Sequence, residues 1–577
     1  MRKTVMASVT LPQTFEAPAT PTTLKLAKRE QMMIGAHIIT ALIALMFGIF
    51  MGPFQTFHRS PTFVQYFPTI PIFTFYYQAV TAHGVMNALF FTTFFIIGFS
   101  YFVTERTLQR PIKSTAMGWA AFVAMAVGLG MMLFVLLTMP QQSAVLYTFY
   151  PPMIAPALFY IGLVLLALGS WLASANIFLT YRDWKREHPN ERVPLAVFAL
   201  IVNFIVWCVA TIGVAIEIVF MLLPASLGIL KVTDPQLART LFWFFGHPLV
   251  YFWLLPAYVS WYTMLPRQAG GQLFSEPLAR VAFIMFVVFS VPVGVHHQFS
   301  DPGISASSKG VQTLLTLIVS IPSFMTAFNV GAALENAARN RGAKTLFDWP
   351  FKQKWNDPVV AAQLSGMLLF IAGGFSGLIN ASAQLNATIH NTSWVPAHFH
   401  QTLGGAVMLT YIGILYWLLP AIRGRALFSK NMALAQVFTW LIGMTLFGLA
   451  MGEAGLQGVP RRALTSQSPY LSPAGAFWLD VTAVSGVILL ISSILLYANI
   501  IGTLFFSRRP MPEGEVPIET VSGDRTSPLW FERWGIWLGL LGILLLIAYG
   551  PVIAEVLDFQ LGWNILRYMP TSNAPMP

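Results

Sequence analysis

Six of the ten histidines lie inside long apolar stretches of the chain, and their type and spacing suit metal binding. A histidine inside hydrocarbon is costly unless it is paired, hydrogen-bonded or bound to a metal. The six are His83, His247, His296, His297, His398 and His400. The other four lie at predicted segment ends or in connecting loops, where a solvated or interfacial role is the default expectation: His37, His58, His188 and His390.

The spacing of five of these histidines indicates which of them can bind the same metal or cofactor. His398 and His400 are two residues apart, so on a helix they point about 200° apart and suit two cofactors on opposite faces. His296 and His297 are adjacent, about 100° apart near a predicted helix end, and can converge on one metal. His247 is the natural third ligand, and three neutral imidazoles with an open position suit copper or zinc.

Tyr251 follows His247 at i+4, on the same face of a helix. A phenol in this position could reach the open site of the metal and supply a proton or an electron. A tyrosine that only packs against a histidine is the alternative interpretation. The neighbouring three-histidine cluster favours the functional interpretation.

The elements that must position these residues are membrane helices. The chain of 577 residues is 56% hydrophobic and only 10% charged, against about a quarter charged in soluble proteins. Thirteen apolar segments, from 32–54 to 532–556, are each long enough to span a bilayer. The sequence thus predicts an all-α, polytopic membrane helical bundle. In this register all six histidines fall within roughly the outer third of the membrane.

The distribution of basic residues predicts the orientation. With the N-terminus in the cytoplasm, the cytoplasmic segments hold 26 Lys and Arg and the outer segments hold 7. Cytoplasmic loops carry the excess of Lys and Arg, which supports this orientation, and an odd number of spans then places the C-terminus outside. The same topology-setting residues explain the net charge of +11, so we expect no nucleic-acid partner. We predict a cytoplasmic tail over 1–30 without a signal peptide, a transmembrane domain over 31–560 and an outer tail over 561–577. The single cysteine, Cys208, permits neither an intrachain disulfide nor a thiolate cluster.

Four motifs around these histidines resemble subunit I of the haem–copper oxygen reductases, a likeness that covers roughly residues 30 to 560. In chain order they read TAHGVMN at His83, WFFGHPLVY at His247 and Tyr251, VGVHHQF at His296 and His297, and VPAHFH at His398 and His400.

The resemblance implies a role for each ligand. His83 and His400 would bind a low-spin haem, expected to be b-type, and His398 a high-spin haem, expected to be a-type. His247, His296 and His297 would hold one copper ion (CuB), and Tyr251 would be the tyrosine that the family cross-links to the copper-binding histidine. The activity implied is reduction of O₂ to water in a prokaryotic plasma membrane, with surrounding lipid. A subunit II with a dinuclear copper centre would deliver electrons from cytochrome c or another small donor, with quinol as the less favoured alternative.

Two departures from the mitochondrial-type pattern make the chain similar to the B-type branch, which uses one proton channel of the K type. Leu249 stands where mitochondrial-type members have Glu, and the loop TERTLQRPIKSTAMG has no Asp. Polar side chains at helical spacing predict that channel, with helix–helix bonding as the alternative explanation. They are Tyr258 and Tyr262 on the sixth span and Thr316, Ser323 and Thr326 on the eighth.

Arg461 and Arg462 lie in an outer loop, against the charge trend, and the resemblance implies that they bind the haem propionates. His390 is expected to join them. Asn386 replaces an Asp of B-type relatives, which puts a proton-exit role at this position in doubt. Glu217 and Asp480 suit equally proton-loading groups or interfacial caps.

Three rival functions remain open at this point. A nitric oxide reductase on the same scaffold would use non-haem iron with nearby glutamates, which Tyr251 and Leu249 disfavour. A haem b electron carrier would have no use for His296 and His297. A transporter with incidental histidines would bind no haem.

Overall fold

The computed structural model describes residues 27–73, 76–511, 516–518 and 527–561, and within them the regular secondary structure is helical. Twelve helices of this part are long and apolar enough to cross a membrane. With one shorter helix, α7, they are α1 Lys28–Arg59, α2 Tyr76–Leu108, α3 Thr115–Thr138, α4 Ala157–Glu187, α5 Leu195–Ser226, α6 Pro235–Thr263, α7 Glu276–Phe289, α8 Ala306–Arg339, α9 Pro358–Ala381, α10 Trp394–Arg423, α11 Lys430–Leu456, α12 Pro473–Phe506 and α13 Trp534–Leu557. The prediction of an all-α polytopic bundle is confirmed.

The seventh predicted span differs from expectation. We expected a continuous helix over 279–300, with His296 and His297 near its end. Instead α7 ends at Phe289, and the two histidines lie on a separate 3₁₀ turn, Gly294–Gln298. Pro292 has no backbone N–H and cannot continue the helical ladder, so the chain unwinds before the histidines.

Helix starts follow local capping chemistry. Seven helices begin after a Ser or Asp whose side-chain oxygen accepts a hydrogen bond from a backbone N–H of the first turn, which otherwise lacks a partner. The caps are Ser114, Asp234, Ser275, Ser305, Asp357, Ser429 and Ser472. These side chains therefore fix where seven of the helices begin.

The helices differ in how deeply they are buried. In α2 and α10 nearly every residue of the apolar window is buried, whereas α13 is mostly exposed. The bundle therefore closes around α2 and α10, two of the helices that carry the histidine motifs, and leaves α13 on its periphery. The predicted tails, 1–30 and 561–577, lie outside the described residues except for 27–30 and 561.

Small residues let two peripheral helices approach closely. A Cβ atom added at Gly128 of α3 would lie 2.5 Å from the backbone oxygen of Gly162 in α4, and one at Gly162 would lie 2.8 Å from the oxygen of Gly128. Close backbone contact of this kind drives helix association in lipid, where the hydrophobic effect does not.

We expect Gly128→Val to force α3 and α4 apart and to lower stability by about 1–3 kcal/mol, as overpacking does. The measurement is the temperature to which the purified protein can be heated before it no longer elutes as a single peak in size-exclusion chromatography. Gly130→Val is the matched control, because a Cβ at Gly130 meets no atom within 4 Å. Equal losses in the two variants would contradict the role given to the α3–α4 contact.

Candidate metal and cofactor centre

One cavity of about 530 Å³ contains all six membrane histidines in its walls. It lies toward the end of the bundle that holds loops 60–73 and 458–472, which the charge distribution predicts to be the outer end. Tyr251 and the residues predicted to bind propionates, His390, Arg461 and Arg462, line the same cavity, and so does Asn386. The tertiary structure thus brings into one space residues that are separated by more than 300 positions in the sequence.

His83 of α2 and His400 of α10 face each other across this cavity. Their rings are nearly parallel, with an interplanar angle of 12° and centroids 5.9 Å apart. The Nδ1 of His83 donates to the carbonyl oxygen of Gly48 at 2.8 Å, and that of His400 donates to Pro396 at 2.8 Å. Because each Nδ1 is occupied by a carbonyl, each Nε2 keeps a lone pair for one shared metal.

The helix geometry around this pair is unusual at the ligands themselves. The backbone becomes π-helical immediately after His83, over Val85–Phe91, and from His400 itself, over His400–Val407. Single π-helical turns inside α-helices often mark functional sites because they redirect side chains locally. Gly52 leaves room for His83, since a Cβ there would lie 3.0 Å from the ring.

His398 faces away from His400. Its Nδ1 donates to the carbonyl oxygen of Gly373 in α9 at 2.8 Å, whereas the ring of His400 packs on Phe447 of α11. Gly377 provides the space, because a Cβ at that position would lie 2.8 Å from the His398 ring. The structure therefore places these two histidines on different sides of α10, in the arrangement that their spacing predicts.

His247, His296 and His297 form a separate cluster. Each offers a ring nitrogen, and the three nitrogens lie within 4.8 Å of one another. The Nδ1 of His247 is 3.3 Å from the Nε2 of His297, and the ring centroids of His247 and His296 are 4.4 Å apart. Two nitrogens at such a distance suit two ligands of one ion, so the cluster has the donor set for copper or zinc.

Two neighbours fix the orientation of this cluster. The Nδ1 of His296 donates to the hydroxyl oxygen of Thr316 at 2.8 Å, while that hydroxyl donates its own proton to the Gln312 carbonyl oxygen. The ring of His297 stacks on Trp243 with centroids 3.8 Å apart and an interplanar angle of 10°. The Trp243 contact was not predicted from the sequence, although Trp243 lies one helical turn before His247.

Tyr251 lies beside the cluster, its ring centroid 4.9 Å from that of His247. The Nε2 of His247 is buried and has no hydrogen-bond partner among the described residues. Such an orphaned nitrogen is costly in an apolar interior. The donor set and this unsatisfied atom both fit a site built around a bound metal and a partner for the second nitrogen.

The basic residues lie at the outer end of the cavity. Arg461 donates to the Oδ1 of Asn391 at 2.7 Å, and Arg462 donates to Thr148 at 3.0 Å while it packs over the ring of Tyr147. Burial, together with the like charge of Arg462, lowers the pKa of the Arg461 guanidinium to about 10. Two adjacent cations held in a partly buried site fit an anionic ligand such as a pair of carboxylates.

His390 is held by Asn386. The Nδ1 of His390 donates to the Asn386 Oδ1 at 3.1 Å, and the amide group of Asn386 donates in turn to the carbonyl oxygen of Asn380. Burial, with the positive charge of Arg461, lowers the pKa of His390, which favours its neutral form. Asn386 therefore orients this histidine.

The residues of the predicted proton path form two contacts between α6 and α8. The hydroxyl of Tyr258 donates to Ser323 at 3.2 Å, and that of Tyr262 donates to Thr326 at 2.8 Å. The cavity that holds the histidines extends along α8 past Ser323 as far as Ala327. Thr316, also included in that path, lies at its upper end against His296.

The two membrane acids have different surroundings. The carboxylate of Asp480 accepts hydrogen bonds from the Ser60 hydroxyl and from the hydroxyl of Thr62, so it caps the turn after α1. Glu217 is fully buried, and neither of its carboxyl oxygens has a partner among the described residues. The structure thus favours the capping role for Asp480 only.

Another contact was not predicted from the sequence. Arg239 of α6 forms a bidentate ion pair with Asp301, at 2.8 and 2.9 Å, just after the turn that carries His296 and His297. The only signal in the sequence was the presence of Arg239 among the few basic residues on the outer side. This pair ties the loop of two ligands to the helix of the third.

The comparison with protein families agrees with this geometry. The family described as "Cytochrome C and Quinol oxidase polypeptide I" matches residues 32–488, which include all six histidines. The chain belongs to this family. Haem and copper binding by the family fits the pair, the single histidine and the cluster of three in one cavity.

Individual members of the family are similar over most of the chain. Cytochrome c oxidase subunit 1 of Thermus thermophilus is 38% identical over 545 residues, covering 92% of this chain and 96% of the relative. Quinol oxidase subunit 1 of Bacillus subtilis is 26% identical and covers 70% of this chain and 63% of its own length. A solved haem–copper terminal oxidase dimer contains a chain with a TM-score of 0.85 and 37% identity, which covers 92% of this chain and 93% of that one.

The Thr316 contact makes a prediction about the cluster of three. Thr316→Val removes the acceptor for His296 Nδ1 while keeping the shape of the side chain, so we expect metal affinity at the cluster to fall about 10- to 100-fold. Copper retained during titration with a chelator is the measurement. Thr313→Val is the control, since Thr313 bonds only to the Lys309 carbonyl on the same helix. Unchanged copper retention in Thr316→Val would show that this contact does not orient His296.

Proposed function

We propose that this chain is the catalytic subunit of a terminal oxidase that reduces O₂ to water. The observation that carries the proposal is the division of six histidines, within one cavity, into a facing pair, a single ligand and a cluster of three. An electron carrier needs only facing pairs, and a transporter needs none of these groups. The cluster of three beside His398 is suited to binding a small diatomic molecule between two metals.

Each group of histidines has one cofactor in this proposal. His83 and His400 hold a low-spin haem of b type, His398 holds a high-spin haem of a type, and the cluster of three holds one copper ion. When bound, the two haems and the copper supply the electron transfer and the oxygen reduction. The protein contributes ligands with fixed tautomers, because a carbonyl or hydroxyl occupies the second nitrogen of His83, His400, His398 and His296.

Arg461 and Arg462 bind haem propionates in this arrangement, with His390 beside them. Among the described residues, the hydrogen-bond acceptors of these two guanidinium groups are the neutral oxygens of Asn391 and Thr148. A buried charge is stable when it is paired, so a carboxylate from the cofactor would complete this site.

Tyr251 supplies a proton at the copper cluster and is joined covalently to His247 in the mature site. The new bond replaces the Nε2–H of His247 and one ring C–H of Tyr251, a two-electron oxidation for which O₂, the proposed substrate, is the oxidant. The centroid separation of 4.9 Å and the unpartnered Nε2 of His247 support the bond between these two rings. The phenol lies in the wall of the cavity, where a proton held at its oxygen can reach a ligand between the metals. Proton delivery by a positioned side chain of this kind accelerates reactions by about 10²–10⁴-fold.

Protons reach Tyr251 through a single channel of the K type, in keeping with the B-type branch. The Tyr262–Thr326 and Tyr258–Ser323 contacts are successive steps toward the cavity, and uptake from the cytoplasm conserves energy and supports pumping. In the position where mitochondrial-type relatives have Glu, Leu249 is buried and cannot carry a proton.

Electrons enter from a partner subunit II with a dinuclear copper centre, which is reduced by cytochrome c or a similar small donor. This chain has a single cysteine, Cys208 in α5, and one cysteine cannot build such a centre. The higher identity to a cytochrome c oxidase subunit than to a quinol oxidase subunit supports this donor. The enzyme lies in the plasma membrane of a prokaryote with its N-terminus in the cytoplasm.

Metal and haem analysis tests the proposed function. We expect two haem irons and one copper per chain in the purified subunit, and a reduced-minus-oxidised spectrum in which carbon monoxide shifts only the high-spin haem. The physical reason is that His398 would be the one histidine ligand of its haem, whereas His83 and His400 would both bind the other. Three irons without copper would favour a nitric oxide reductase, and an absence of haem would contradict the proposal.

Tyr258→Phe tests the proton channel. The change removes the hydroxyl that contacts Ser323 and keeps the ring, so we expect oxygen consumption to fall by at least about tenfold with unchanged haem spectra. Tyr416→Phe is the control, because its equally buried hydroxyl donates to Gln436, away from the channel. An unimpaired rate in Tyr258→Phe would exclude this route.

A further inference from the structure

Two of the three copper ligands lie on a segment that is not held by a helix. Between the end of α7 at Phe289 and the start of α8 at Ala306, the chain forms only the short 3₁₀ turn Gly294–Gln298. A helix fixes its residues through its own hydrogen bonds, whereas a loop depends on its neighbours. The precision of His296 and His297 must therefore come from contacts with other parts of the bundle.

One of these contacts comes from α13, the peripheral last helix. The side chain of Tyr549 is buried, although most of α13 is exposed. Its hydroxyl oxygen accepts a hydrogen bond from the backbone N–H of Gly294 at 3.1 Å and lies 3.4 Å from the carbonyl oxygen of Val291. A single phenol thus bonds to both sides of the break that precedes the two histidines.

Space around this phenol is fully used. A Cβ atom at Gly294 would overlap the hydroxyl of Tyr549 and the backbone oxygen of Trp243, so only glycine fits between them. The Tyr549 ring packs on Phe244, with centroids 4.9 Å apart, and Phe244 is three residues before His247. Tyr549 therefore contacts both the loop of His296 and His297 and the helix of His247.

α13 also contacts the first turns of α8. The carboxylate of Glu555 accepts from the backbone N–H of Ser305 and from the hydroxyl of Ser308, each at 3.0 Å. Gln312, whose carbonyl accepts from Thr316, donates to the Ala548 carbonyl oxygen at 3.1 Å. Because Thr316 orients His296, this second contact reaches the same ligand from the other side.

We propose that α13 holds the copper-binding loop (residues 290–305) in place, and that Tyr549 is a positioning residue for His296 and His297. This inference rests on the proposed copper site and adds to it an element that lies beyond residues 32–488, the part of the chain that the family comparison matches. Tyr549 does not touch the metal. It satisfies the Gly294 N–H, which would otherwise be an unpaired buried donor, and so holds the turn in one conformation.

The test is Tyr549→Phe in the complete oxidase, which removes the hydroxyl and keeps the ring. We expect copper to be lost to a chelator at least about fivefold faster, because the loop of two ligands opens more often. The infrared band of carbon monoxide at copper should broaden or shift, which a change in general stability would not cause. The low-spin haem spectrum should stay unchanged, since His83 and His400 are held by other contacts.

Tyr497→Phe is the matched control. Tyr497 also carries a hydroxyl that donates to a backbone carbonyl, that of Leu42 at 2.7 Å, and this contact joins α12 to α1. Equal copper loss in Tyr497→Phe and Tyr549→Phe, or an unchanged rate and infrared band in Tyr549→Phe, would overturn the inference. If the unmodified enzyme holds no copper, the proposed function fails. This result differs from one in which copper is bound but α13 does not hold the copper-binding loop.

A second variant keeps the test decisive if Tyr549→Phe does not assemble. Glu555→Gln weakens the contact with Ser305 and Ser308 without changing the size of the side chain. We expect copper loss to be accelerated in this variant too, by a smaller factor, with normal haem spectra. Copper retention equal to that of the unmodified enzyme would show that α13 does not hold the copper-binding loop.

Discussion

An imidazole inside a membrane protein has two nitrogens to satisfy, and no water is at hand to satisfy them. In this structure a backbone carbonyl or a hydroxyl takes the Nδ1 of His83, His296, His398 and His400. Each ring is then left with one nitrogen that only a metal can use well. The tautomer, the direction of the lone pair and the place of the cofactor all follow from this division.

The same requirement explains the irregular backbone of the site. A regular α-helix would bond its own carbonyls and fix the direction of every side chain, yet the ligands lie where α2 and α10 become π-helical and where the chain unwinds after α7. Irregular backbone at membrane depth is tolerated when other parts of the protein satisfy its polar groups. The hydroxyl of Tyr549 and the ion pair of Arg239 with Asp301 stabilise the unwound segment. The unwound segment is thus held by side chains of two neighbouring helices, Tyr549 of α13 and Arg239 of α6.

The walls of the cavity are mainly apolar, and its few polar groups are confined to particular places. Toward one end of the bundle hydroxyls occur in pairs between α6 and α8, and at the opposite end of the cavity the cations and His390 converge. Protons that enter by the hydroxyl pairs and electrons that arrive at the low-spin haem would therefore meet at Tyr251 and the three-histidine cluster. An enzyme that conserves energy needs this separation, because a polar leak across the bundle would dissipate the gradient.

The sequence by itself determined the bundle, the grouping of His247 with His296 and His297 and the Tyr251 neighbour of His247, because hydropathy and helical spacing are local properties. It also indicated the opposite directions of His398 and His400, which follow from two residues on one helix. The pairing of His83 with His400 followed from the family resemblance and not from spacing. Only the tertiary structure decided that His296 and His297 lie on a 3₁₀ turn, that Thr316 and Trp243 orient them and that α13 reaches their loop. These contacts join residues up to 255 positions apart. No local pattern encodes them, because the residues around position 549 contain no information about the Gly294 N–H, which lies far away in the sequence.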